Sequence, residues 1–214
     1  MKLSSLRPPY LIPRVRQMLF ARRHPDAPWL AESAILLLES WLKPTDVGLE
    51  WGSGRSTAWT AARVGRLTSV ESDADWHRKV AETLAAKGLS RVVDYRHVPC
   101  QLGELDEPQS HPYAEVAAEF ADGGLDFALV DGYVRETCMR AVMPKINPGG
   151  LLILDNANRF FPNPSLGGYS TSHEPRAEPR TPAWARLARE LADWRWVVTT
   201  DRIWDTRMWV RPCS

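Results

Sequence analysis

One stretch constrains this chain more than any other: Val47-Gly48-Leu49-Glu50-Trp51-Gly52-Ser53-Gly54-Arg55-Ser56 runs apolar, reaches an acid and breaks into a glycine-spaced loop. It reads as a buried strand turning directly into a helix. Gly52 and Gly54 carry no Cβ, so the backbone there is free to take positive φ and a ligand can come close to it. The residues from Ser56 to Arg63 supply the start of a helix, whose free N–H groups point back at the loop. Such a unit holds a nucleotide-like ligand at the end of a strand.

The loop's details bear on which ligand. A dinucleotide fingerprint needs a third glycine three residues after the second, and that place holds Thr57. Glu50 stands two residues before the first glycine, and Glu71 closes the next apolar run, Leu67-Thr68-Ser69-Val70-Glu71. An acid ending the second strand is placed to accept hydrogen bonds from ribose hydroxyls. An acid on the loop repels phosphates and suits a cationic amino-acid group.

Alternation of short apolar runs with helical spacing continues along the chain. Helices are expected over 29–42, 74–87, 113–120, 135–143 and 183–192, and strands over 46–51, 67–71, 92–98, 125–131 and 151–155, the last after a Pro148-Gly149-Gly150 turn. Two further strand-like runs, 194–200 and 206–210, are close enough to form a hairpin. This predicts an α/β fold: a doubly wound, mostly parallel seven-stranded sheet with an antiparallel C-terminal hairpin.

Glu50, Gly52 and Gly54 together resemble the first motif of the class I S-adenosylmethionine-dependent methyltransferases, with Ser56 where a third glycine is usual. The antiparallel end is also what that Rossmann-like family carries, and the resemblance runs from Trp29 to the C-terminus. It implies that Glu50 orders the site around the methionine part of S-adenosylmethionine and that Glu71 binds its ribose. Gly52, Ser53, Gly54, Ser56, Thr57, Ser72 and Asp131 join the expected cofactor contacts. The usual acid after strand three is missing, which leaves backbone around Cys100, or Gln101, to meet the adenine. Trp76 either packs on the adenine or belongs to the core.

Asp131 after the fourth strand and Asp155-Asn156 after the fifth resemble the metal site of the catechol O-methyltransferase-like branch. Carboxylates and an amide oxygen are hard donors suited to Mg²⁺ or another divalent ion. A metal there would acidify an acceptor hydroxyl, so that oxygen is the expected methyl acceptor. His173 is a candidate base in its absence, and a solvated loop histidine otherwise. Arg135 and Arg140 are open to a surface reading. A non-catalytic protein of the same fold and an NAD-dependent oxidoreductase are the competing functions; Thr57 and the antiparallel end disfavour the second.

Two segments lie outside the plain sheet. Residues 1–28 interleave Arg14, Arg16, Arg22 and Arg23 with Leu11, Ile12, Val15, Met18, Leu19 and Phe20, an amphipathic helix that packs on the core, caps the site or pairs two copies of the chain. Membrane-surface binding is disfavoured there on the expectation that the protein covers its apolar face. Residues 157–182, rich in Pro, Gly, Ser and Arg, read as a lid on the domain 29–214. Its Arg159, Tyr169, His173 and Arg176 suit a sugar-like or acidic small-molecule acceptor.

Bulk properties narrow the remaining classes. Lys and Arg total 27 against 26 Asp and Glu, a net charge of +1 that gives no electrostatic case for nucleic acid. Cys100, Cys138 and Cys213 lack metal-site spacing, no apolar run approaches a membrane span, and Arg7, Pro8 and Pro9 break any signal-peptide core. A cytoplasmic protein with reduced thiols is expected.

Overall fold

The computed structural model describes residues 8–102, 108–163 and 178–213. Its centre is one seven-stranded sheet built from β1 (Val47–Trp51), β2 (Arg66–Glu71), β3 (Val93–His97), β4 (Leu125–Val130), β5 (Ile146–Leu154), β6 (Arg195–Thr200) and β7 (Asp205–Val210). The strands lie in the order β3-β2-β1-β4-β5-β7-β6. β1 to β5 pair in parallel, while β7 runs antiparallel to both β5 and β6. The expected doubly wound sheet with its closing hairpin is therefore what forms.

Helices cover both faces, which is why the central strands read as continuous apolar runs. On one face, α2 (Glu32–Trp41), α3 (Arg55–Ala61) and α4 (Ala74–Ala86) bury Ile35, Leu38, Trp59, Val80 and Leu84 with Leu67, Phe127 and Ile153. On the other, α5 (Pro112–Glu115), α6 (Arg135–Val142) and α7 (Pro182–Glu190) bury Tyr113, Met139, Trp184 and Leu187 with Trp51, Val130, Leu152 and Trp209. The first helix, α1 (Pro8–Arg23), lies outside both cores except for Phe20, which packs against the first.

Two local expectations are corrected. The Pro148-Gly149-Gly150 segment is a kink inside β5 rather than a turn before it: β5 begins at Ile146, opposite Leu125, and the register shifts before Leu151. Gly149 takes φ +83° and donates to Arg211 O at 2.9 Å, while Arg211 N–H donates to Gly150 O at 3.0 Å, so β7 holds the kink in the sheet. The helix expected over 113–120 divides into α5 and a tighter turn at Val116–Glu119.

Register also explains a glycine in the first strand. Gly48 pairs with Phe127, and a Cβ on Gly48 would stand 2.0 Å from the Phe127 ring. Gly48→Ala is expected to cost about 1–3 kcal/mol, with part recovered in the Gly48→Ala/Phe127→Leu double variant. Urea unfolding of the three proteins checks this.

Candidate functional site

The site forms where β2, β1, β4 and β5 end side by side. Gly52 takes φ +86°, and a Cβ there would meet the Asp131 carbonyl carbon at 2.7 Å. Only glycine lets the loop after β1 pass this close to the loop after β4. Gly54 is extended instead, contrary to the expectation of positive φ at both glycines. A Cβ on Gly54 would meet nothing nearer than the Trp76 indole at 3.9 Å, so its missing side chain leaves open space in front of the loop.

Thr57, in the third-glycine position of the dinucleotide pattern, ties the loop together. Its hydroxyl accepts from the Gly54 N–H at 2.9 Å and donates to Glu50 Oε2 at 2.6 Å. Ser69 on the neighbouring strand donates to the same oxygen at 2.6 Å. Glu50 is buried, and its Oε1 has no hydrogen-bond partner. Burial pushes its carboxyl up to about 7, against the opposing effect of the Ser69, Thr57 and Ser56 hydroxyls, and the nearby Asp131 adds to the rise.

Glu71 organises the other flank. Its Oε2 accepts from Ser53 N–H at 3.0 Å and Ser53 Oγ at 2.6 Å, and its Oε1 from Ser72 N–H at 2.7 Å and Asp73 N–H at 2.9 Å. Ser53 Oγ also bonds the Tyr95 hydroxyl at 2.6 Å, and Trp76 Nε1 donates to Ser53 O at 2.8 Å. Trp76 is thus half-exposed and fastened to the loop rather than part of the core. Beyond it, Ser72, Asp73, His97, Pro99, Cys100, Gln101 and Tyr133 line a cavity of about 540 Å³. The expected Ser72, Cys100 and Gln101 do come together there.

A second cavity of about 500 Å³ opens on the β4–β5 side, lined by Asp131, Asp155, Asn156, Arg55, Trp29, Trp204 and residues of α1 including Arg14, Met18 and His24. Asn156, at φ +50°, and Val134, at φ +39°, hold the left-handed region at this edge, a conformation that costs ~1 kcal/mol or more for residues with a side chain. Asp155 is buried with Oδ1 accepting from the Thr206 hydroxyl at 2.7 Å and Oδ2 from Asn156 Nδ2 at 2.7 Å. Arg135 pairs with Asp131 Oδ1 at 2.9 Å and donates to the Asp155 carbonyl at 2.6 Å, the Asp131 carbonyl at 2.9 Å and the Gly132 carbonyl at 2.9 Å. Burial raises both carboxyls, and the neighbouring Asp131 drives Asp155 further up.

These contacts bear on the expected metal site. Asp131, Asp155 and Asn156 share a cavity wall, but a guanidinium already neutralises Asp131 and both Asp155 oxygens are engaged. Among the described residues no cluster of three or more His, Cys, Asp or Glu stands ready for a metal. The donor set does not fit a divalent ion, which needs several free oxygens. Arg135 is no surface charge: its side chain is 10 % exposed. Its position four residues after Asp131 is the i,i+4 signal that would have found it.

Other participants had no such signal. Thr206 reaches Asp155 from the last strand, Tyr95 reaches Ser53 from β3, and His24 and Trp29 come from the N-terminal segment. His173, Tyr169 and Arg176 lie outside the described residues, as does most of the expected lid; Arg159 is close enough to lower the Asp131 pKa.

Residues 49–157, over half of the chain, match the family model described as a methyltransferase domain. No curated protein matches. Among solved structures, an O-methyltransferase, TomG, from Streptomyces achromogenes in complex with S-adenosylmethionine is 20 % identical with TM-score 0.55, over 89 % of this chain and 86 % of that one. A methyltransferase from Geobacter sulfurreducens is 15 % identical with TM-score 0.56, over 98 % and 93 %. A Streptococcus mutans protein described as a putative methyltransferase, in complex with S-adenosylhomocysteine, is 10 % identical with TM-score 0.57, over 84 % and 96 %. At these identities the likeness is one of fold.

The Glu50 environment has a stability consequence. Because the folded-state value of about 7 lies above the ordinary 4.5, folding binds a proton there, and the associated stability is lost as pH rises from about 4.5 through 7. Across that range the wild type should lose roughly 3 kcal/mol relative to Glu50→Gln, as read from urea unfolding at each pH.

Proposed function

The chain belongs to the methyltransferase-domain family and is an S-adenosylmethionine-dependent methyltransferase, and from that premise we propose that it methylates a hydroxyl oxygen of a small acceptor without a metal. The observation that carries this reading is the cavity at the ends of β4 and β5, lined by Asp131 and Asp155, with Asp131 paired to Arg135 and Asp155 held by Thr206 and Asn156. The unanswered Oε1 of Glu50 and the open space at Gly54 fit the amino-acid end of the cofactor. Ser72, Cys100, Gln101 and Tyr133 line the space for its adenosine. When bound, the cofactor supplies a methyl group on a sulfonium and retains the S–C bonding pair as the thioether.

The chain's own residues then position and deprotonate. Asp131, whose carboxyl burial raises above its ordinary value, accepts the hydroxyl proton as the acceptor oxygen takes the methyl group. Asp155, its carboxyl raised by burial and by Asp131 and held by Thr206 and Asn156, forms the fixed wall of the cavity beside the acceptor. Arg135 fixes both loops through their carbonyls, so the carboxyls do not reorganise during transfer. Trp29, Trp204, Arg14 and Arg55 give the acceptor cavity flat apolar walls and positive charge, which suits an acidic or sugar-like acceptor. The Streptomyces neighbour is an O-methyltransferase, which is consistent with oxygen as the acceptor.

Calorimetry with S-adenosylhomocysteine and with NAD tests the cofactor half. Only the first should bind, and binding of NAD alone would overturn the reading. The mechanistic half predicts that Asp131→Asn lowers kcat by roughly 10²-fold or more with little change in cofactor affinity, and that excess chelator leaves activity intact. Abolition of activity by chelator, restored by Mg²⁺, would return the site to a metal.

A further inference from the structure

The apolar face of α1 is not covered by the protein. Leu11, Ile12, Val15, Met18 and Leu19 are between 42 and 72 % exposed. Their spacing places them on one side of the helix, since residues separated by four, seven and eight positions stack together. The opposite side faces the body: Pro13 is buried, Phe20 packs against the core and Gln17 Nε2 donates to Asp201 at 3.1 Å. An interior-facing helix would turn these sides the other way round.

Charge decides what covers the exposed face. The helix contains no Asp or Glu, while Arg14, Arg16, Arg22 and Arg23 flank or punctuate the apolar side and are exposed. Among the described residues its one ion pair is Arg16 with Glu32 at 3.1 Å. A second copy of the chain would set arginines against arginines with no acid on either helix to answer them. An anionic lipid surface answers both features, taking the aliphatic side chains below the headgroups and pairing the arginines with phosphates. The helix spans about 24 Å, enough to lie in that plane, and no described helix is long and apolar enough to cross it.

We propose that α1 is a membrane-surface helix that seats this protein on anionic lipid through Leu11, Ile12, Val15, Met18 and Leu19. Met18 also lines the β4–β5 cavity, as do Arg14 and Trp29, so docking sets that cavity beside the lipid headgroups. An acceptor held at a membrane reaches the site without leaving the surface. Docking does not depend on which atom is methylated.

Co-sedimentation of the full chain with vesicles tests the proposal. Binding is expected to vesicles containing about 30 % phosphatidylglycerol, not to phosphatidylcholine alone, and weakened by salt. Leu11→Ser/Val15→Ser/Leu19→Ser should reduce partitioning roughly tenfold or more. Its affinity for S-adenosylhomocysteine should match wild type, since these side chains are exposed and away from the cofactor. Absence of wild-type binding to anionic vesicles, or equal binding of the triple variant, would overturn the proposal. So would self-association of the wild type that the triple variant abolishes in sedimentation velocity, because a second copy would then own the face.

Discussion

The buried Glu50 carboxyl, held by hydroxyls from Thr57 and Ser69 with one oxygen unanswered, is the constraint around which the site is arranged. A carboxyl on the central strand cannot be solvated by water, so everything near it must either share its proton or supply a donor. Thr57 does the second and also grips the Gly54 N–H, so one side chain fixes both the acid and the loop beyond it. Loop conformation and carboxyl charge are therefore linked quantities.

Four strands in spatial sequence end in acids, and each meets the same desolvation problem differently. Glu71 is answered by backbone N–H groups of Ser53, Ser72 and Asp73, Glu50 by the hydroxyls of Thr57 and Ser69, Asp131 by Arg135, and Asp155 by the Thr206 hydroxyl and the Asn156 amide. The outcome is a gradient of roles. The Glu71 end ties the loop after β1 to the loop after β2, Glu50 keeps one oxygen without a hydrogen-bond partner, and Asp131 and Asp155 are held at the cavity wall by Arg135 and Thr206. Arg135 pairs with Asp131, so this edge of the site takes its electrostatic balance from the chain itself.

Much of this was legible in sequence because it rests on local patterns. The strand-turn-helix at 47–56, the alternation of elements and the closing hairpin follow from periodicity and glycine placement. Glu50, Glu71, Asp131 and Asp155 could be found because strand ends are where such sheets bind ligands. What escaped was set by tertiary contact. No spacing connects Thr206 with Asp155 or Tyr95 with Ser53, and the kink that carries Pro148-Gly149-Gly150 into β5 depends on Arg211, just past the last strand. In the N-terminal segment the helix was readable, but which side faces the body depends on Pro13, Gln17 and Phe20 rather than on the longer apolar run.

If Glu50 is half protonated in the free protein and receives the cofactor's ammonium group, binding must expel its proton. Calorimetric titration with S-adenosylhomocysteine at pH 7, repeated in buffers of different ionisation enthalpy, counts the protons exchanged. The structure predicts release of about half a proton per site at pH 7, growing toward one as pH falls below that and vanishing in Glu50→Gln. Binding with no proton release at pH 7 or below would contradict the assignment of Glu50 as the group that meets the cofactor's charge.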